Sequence, residues 1–165
     1  MKYKAILFDM DGVLIGEVET KNIMTKSSLP VGGYSVNPYV GCTHACKYCY
    51  ASFMKRFTGH TEEWGTFLDV KRWPEIKNPK KYSGQRVVIG SVTDGYNPQE
   101  ERFGNTRKLL EQLIGSGAGT EIHRGGMAIA AVFQKPLGFI QRIGKGFRAV
   151  HSQHRRELLV GKGFA

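Results

Sequence analysis

The chain has 165 residues, 41% of them apolar, and carries 24 Lys and Arg against 14 Asp and Glu, for a net charge of +10. That length supports one domain with a modest core, and no run approaches the ~20 uninterrupted apolar residues of a membrane span. The charge is uneven, +4 over residues 1–119 and +6 over residues 120–165, a balance that suits phosphate binding or simply a basic solvated face. For residues 120–165 the solvated face is the weightier reading. The start, Met1-Lys2-Tyr3-Lys4 and a short apolar run, is cut off by Asp9 and Asp11 and is not a secretory signal. Cysteines kept as thiols, with no targeting segment, point to a cytoplasmic setting.

Residues 1–16 read as a leader strand and turn. Ala5-Ile6-Leu7-Phe8 runs into Asp9-Met10-Asp11-Gly12. This resembles the first motif of haloacid-dehalogenase (HAD) phosphatases, which implies Asp9 as nucleophile and Asp11 as general acid/base beside magnesium. That family also uses a late acidic pair, and the only adjacent acids after Asp94 are Glu100 and Glu101. The other reading is an apolar strand closed by a D-G turn. Pro30 and Gly32-Gly33 then mark a linker.

Tyr34 to Val40 predicts the first barrel strand. It leads into Gly41-Cys42-Thr43-His44-Ala45-Cys46-Lys47-Tyr48-Cys49-Tyr50-Ala51, which holds all three cysteines of the chain at C-x3-C-x2-C spacing. Three thiolates on one tight loop can each hold one iron of a 4Fe–4S cube and leave the fourth iron open. A structural zinc site, with His44 or a distant His as fourth ligand, is the alternative. Zinc sites usually come as two separated pairs, and no second pair is present.

The next element is a helix from Tyr50 to Phe57, with Phe53, Met54 and Phe57 facing inward. Phe67-Leu68-Asp69-Val70 reads as a short strand. Trp64 and Trp73 read as cover for the barrel, or as a stacking surface for a base. Pro74 to Tyr82 predicts a brief helix begun by Pro74 and ended by Pro79. Arg86 to Ser91 is the clearest strand, continuous in its apolar centre as a buried parallel strand is. It ends in Ser91-Val92-Thr93-Asp94-Gly95-Tyr96-Asn97-Pro98, where D-G and N-P also spell a turn. Asn105 to Gly115 is the best helix, with Leu109, Leu110, Leu113 and Ile114 on one side. Met127 to Phe133 reads as strand or helix. After Pro136 glycines recur among basic and apolar residues, and no periodicity persists.

The cysteine motif, with Tyr48 at its aromatic position, resembles the radical S-adenosylmethionine (radical SAM) superfamily. Asn37-Pro38-Tyr39-Val40-Gly41-Cys42, Cys49-Tyr50-Ala51 and Ser91-Val92-Thr93-Asp94 resemble its branch of spore photoproduct lyases and "DNA repair photolyase" proteins, over residues 17–118. The resemblance implies a 4Fe–4S cluster on Cys42, Cys46 and Cys49. It implies SAM on the open iron, cleaved reductively to a 5′-deoxyadenosyl radical. It also implies Tyr48 against the adenine and Ser91, Thr93 and Asp94 near the SAM amino group. A DNA lesion is the implied substrate, and flavodoxin or ferredoxin the implied reductant.

The expected architecture is therefore α/β: a leader at 1–16, the N-terminal part of a radical SAM partial (β/α) barrel at 17–118, truncated against the ~200 or more residues of a barrel, and a basic Gly-rich tail at 119–165. The alternatives are a fragment without activity, a HAD-type phosphatase, or a basic nucleic-acid-binding module built on the tail.

Overall fold

The computed structural model describes residues 3–8, 12–28, 32–124 and 127–131, all within one compact unit. Asp9 and Asp11, the phosphatase-like pair, lie outside the described residues, as does the tail beyond residue 131.

Among the described residues two sheets are present. The first has the order β1-β2-β6-β5, formed by β1 (Tyr3–Phe8), β2 (Leu14–Glu19), β6 (Phe67–Arg72) and β5 (Tyr39–Gly41). β2 runs parallel to β6, while β1 and β5 are antiparallel to their neighbours. The second has the order β3-β4-β7-β8-β9, formed by β3 (Thr25–Lys26), β4 (Tyr34–Val36), β7 (Arg86–Ile89), β8 (Gly119–Arg124) and β9 (Met127–Ala131). Its three middle strands are parallel. The fold is α/β with mixed sheets, and neither sheet closes into a barrel among the described residues.

β7 lies between two parallel neighbours, with Val87 and Ile89 wholly buried, as its β-branched centre predicts. The predicted helix is α2 (Asn105–Leu113), which buries Leu109, Leu110 and Leu113. It follows a single turn, α1 (Glu100–Phe103). In the first sheet Ile15, Tyr39, Leu68 and Val70 form a core cluster, with Val13 and Phe103 against it. Trp73 is buried, its indole N–H donating to Gln112 at 3.2 Å. It is cover for the core, not a free stacking surface.

Several elements differ from expectation. The single strand Tyr34–Val40 is two strands in two sheets, because Asn37-Pro38 breaks it. Pro38 has no N–H for a ladder, and its carbonyl instead accepts from Lys71 N at 3.2 Å. Between Pro74 and Tyr82 only Pro79–Tyr82 is helical, a 3-10 turn, so Pro79 opens the helix instead of closing it. Tyr50–Phe57 is also 3-10. Three residues per turn undo the i, i+4 stripe, so Ala51 is buried while Phe53 and Phe57 are exposed. Met127–Ala131 is a strand, antiparallel to β8. β8 itself, not anticipated, supplies a third parallel strand.

Under the first sheet, His60 stacks on Phe67 with centroids 3.9 Å apart. Its two ring nitrogens meet Glu62 at 3.0 Å and the fully buried Asp69 at 3.0 Å. Among the described residues no helix is long and apolar enough to cross a membrane.

Candidate functional site

The cysteine loop leaves β5 at Gly41, whose φ of +83° favours glycine. A Cβ there would come within 2.5 Å of the Phe67 carbonyl oxygen. Ala45, midway along the loop, also has positive φ, +49°, a conformation an L-residue adopts at a cost of about 1–2 kcal/mol. Cys49 N then donates to Cys46 O at 3.1 Å, which closes the turn before the 3-10 helix.

The loop is stitched to the end of β7. Thr93 Oγ1 donates to the Gly41 carbonyl at 2.5 Å, and the Tyr50 hydroxyl donates to the Ser91 carbonyl. Ser91 Oγ lies 2.8 Å from Ser35 Oγ and accepts from Asn37 Nδ2 at 3.1 Å. Asn37 Oδ1 accepts from Val92 N at 3.0 Å. These contacts put the loop and the strand end in one rigid frame.

Between them lies a cavity of about 300 Å³. Cys42, Cys46 and Cys49 all line it, along with Tyr48 and Tyr50 from the loop. Gly90, Val92, Thr93 and Asp94 line it from the β7 side. His44 and His123 complete the wall. Of the predicted cofactor residues, Tyr48, Thr93 and Asp94 are thus brought to one cavity with the cysteines. Ser91 stands behind the wall, in the brace to Ser35 and Asn37.

All three thiols are free, Cys42 buried and Cys46 exposed. Burial is the main influence that pushes Cys42 up to about 11, and burial followed by the charge of Cys49 raises Cys46. Raised in this way, Cys42 and Cys46 hold their protons more tightly, and metal uptake must displace them. Asp94 Oδ1 accepts from Tyr96 N at 2.8 Å, and Oδ2 lies 3.3 Å from His44 Nε2. That approach makes no hydrogen bond. Among the described residues His44 Nε2, His123 Nε2 and Thr43 Oγ1 are buried polar atoms without a hydrogen-bond partner; for Thr43 and His123, which have no ion-pair contact either, that costs about 1–3 kcal/mol each unless a ligand relieves it.

Sequence reasoning missed His123, Asn37 and Tyr50 as parts of this frame. The signal for His123 is its place after buried Ile122 at the end of a parallel strand, where sites of α/β folds gather. Among the described residues no three His, Cys, Asp or Glu side chains converge to hold one metal ion.

No family model matches the chain, and no solved structure matches it. It is similar to an uncharacterized protein of Methanocaldococcus jannaschii, 34% identical over 98 residues, covering 59% of this chain and 37% of the relative. A second similar protein, from Acidianus two-tailed virus, is 35% identical over 96 residues, covering 52% and 31%. A third, from Mycobacterium tuberculosis, is 29% identical over 119 residues, covering 65% and 34%. The chain spans about a third of the length of these curated relatives.

Proposed function

We propose that this chain binds a 4Fe–4S cluster through Cys42, Cys46 and Cys49 and holds S-adenosylmethionine beside it, as the radical SAM resemblance implies. The observation that carries the reading is the shared cavity: the three cysteines line it together with Tyr48, Thr93 and Asp94. The donor set fits. Thiolates are the usual ligands of such clusters, all three are free, and the His123 Nε2, which makes no hydrogen bond among the described residues, borders the same space. A single zinc ion would need its donors to converge on one point. A cube needs each thiolate on its own iron.

Bound together, cluster and SAM supply reductive cleavage of the sulfonium to a 5′-deoxyadenosyl radical. The chain's own residues hold and orient. The Asp94 carboxylate suits an ammonium group, and the exposed Tyr48 ring suits an adenine face. Tyr50 and Thr93 keep the loop fixed against β7. A partial (β/α) barrel is the architecture this reading implies.

A DNA lesion is the substrate suggested by the lyase-like branch, and flavodoxin or ferredoxin the reductant, in the cytoplasm. Spore photoproduct lyases return a hydrogen atom with a further cysteine. Here all three cysteines are committed to the cluster, and Val92 sits between Ser91 and Thr93. The proposal therefore commits to SAM cleavage more firmly than to a lesion.

Anaerobic reconstitution with iron and sulfide tests it. The expected result is about four irons per chain with matching sulfide, a broad visible absorption that bleaches on reduction, and 5′-deoxyadenosine once SAM and dithionite are added. Iron without sulfide, or a reducible cluster that leaves SAM intact, would sink the reading.

A further inference from the structure

The 3-10 helix Tyr50–Phe57 borders a further space besides the cysteine cavity. Tyr50 and Ala51 line the cysteine side. Ser52, Phe53, Lys55 and Arg56, with Gly59 and His60 just past the helix, line an open cavity of about 540 Å³, a size that suits a small ligand. The two cavities share no lining residue. Lys55 and Arg56 are held in place without being neutralised. Lys55 Nζ donates to the Thr61 carbonyl at 3.0 Å, and its remaining N–H groups can serve a ligand. The Arg56 guanidinium lies 5.5 Å from the Phe53 ring centre and 4.7 Å from that of Phe57, contacts that fix its position and leave its charge. Among the described residues neither cation has a carboxylate partner. No Asp or Glu occurs from residue 20 to residue 61. Glu62, the first acid after that stretch, meets His60 Nδ1 at 3.0 Å, while His60 Nε2 meets the buried Asp69.

We infer that this cavity binds a small phosphate monoester, its phosphate on Lys55 and Arg56 and its organic part along Phe53. A monoester carries close to two negative charges at neutral pH, which matches the cation pair. The planar guanidinium fork pairs with phosphate oxygens, and the ammonium adds a point charge beside it. Ser52 is exposed on the same wall, and its hydroxyl is a further donor. Gly59, at φ +82°, brings no side chain to fill the space. The inference is independent of the cluster reading, since no cysteine lines this cavity.

Two other anions fit less well. A carboxylate ligand brings a single charge to a pair of cations. A strand of nucleic acid needs ring faces open for stacking, and Arg56 already lies over both Phe53 and Phe57.

Calorimetry with phenyl phosphate tests the site, on the full chain before any iron is added. Saturable binding is expected, with an affinity that falls as salt is added. Lys55→Gln combined with Arg56→Gln should weaken it about tenfold or more, because the lost hydrogen bonds come from charged donors. Ser52→Glu keeps both cations but sets a carboxylate among them, and should weaken binding as much. Circular dichroism checks that both variants fold. Lys26→Gln removes a charge from exposed β3 instead and should leave the affinity within about twofold. Equal affinity in parent and double variant overturns the inference. So does benzoate that binds as tightly as phenyl phosphate, or an equal loss in Lys26→Gln, which would make the attraction diffuse. An oligothymidylate that binds more tightly than phenyl phosphate, and is released by the same double variant, assigns the cations to a strand and overturns the small-ligand site.

Discussion

Tyr39 donates its phenolic proton to Glu100, 61 residues along the chain. The same carboxylate accepts the backbone N–H of Thr106 and of Arg107, each at 3.0 Å. It therefore caps the first turn of α2, where free N–H groups and the helix dipole favour an anion. Asn105 N donates back to the Tyr39 hydroxyl at 3.2 Å, and Asn105 Nδ2 spans the Pro38 and Lys71 carbonyls at 3.1 and 2.9 Å. The strand that leads into the cysteine loop is thus pinned to the start of a helix. Tyr39→Phe should cost about 1–3 kcal/mol, the range for leaving buried partners unmet. Urea unfolding measures it, and an unchanged midpoint would show that the phenol contributes nothing.

Burial raises the Glu100 carboxyl above its ordinary 4.5, with hydrogen bonds from Tyr39 and from the backbone of Thr106 and Arg107 pulling the other way. The folded chain then holds this proton more tightly than the unfolded one. The group's contribution to stability is fully present below about pH 4.5 and is lost as pH rises through the raised native value. Glu100→Gln, which does not titrate, should remove that slope. Unfolding free energies of parent and variant, compared from about pH 4.5 to neutrality, should draw closer with rising pH. Parallel curves would contradict the assignment. Asp69, whose carboxyl burial also raises, is common to both chains and cancels.

Gly41→Ala combines a left-handed φ with a Cβ 2.5 Å from the Phe67 carbonyl oxygen. The conformational part alone is about 1–2 kcal/mol, and the clash adds to it. Gly59→Ala has a similar φ of +82° but nothing within 4 Å of its Cβ, so it should show the conformational part only. Thermal unfolding of the two variants measures the difference. Iron uptake should fall in Gly41→Ala and hold in Gly59→Ala.

His44→Ala separates the two metal readings. A zinc site that uses His44 as fourth ligand would lose its metal. A cluster on three thiolates should keep its iron and sulfide, whereas Cys42→Ala, Cys46→Ala and Cys49→Ala should each lose them. Metal analysis of the four variants decides it.

Much of this arrangement was readable in order along the chain. The C-x3-C-x2-C spacing fixed one wall of the cavity, and the β-branched run at Val87-Val88-Ile89 ended in residues of the opposite wall. What stayed hidden depends on pairs far apart in sequence. Nothing near Tyr39 announces Glu100, and nothing near Arg86 announces Glu121, to which it bonds at 2.9 and 2.7 Å across β7 and β8. β8 escaped notice because Gly119 opens it, Gly125 and Gly126 follow it, and its buried Thr120 and Ile122 give only two beats of alternation. The 3-10 winding of Tyr50–Phe57 was equally hidden, since apolar spacing does not distinguish it from an α-helix over two turns.

β9 occupies the edge of β8 in the antiparallel sense. A hairpin partner needs only a short reversal of the chain, whereas a parallel strand has to return by a crossover of a dozen residues or more. Local closure is the faster event, so in the race for this edge the neighbouring segment wins, and any later parallel strand could extend the series β4, β7, β8 only by evicting it.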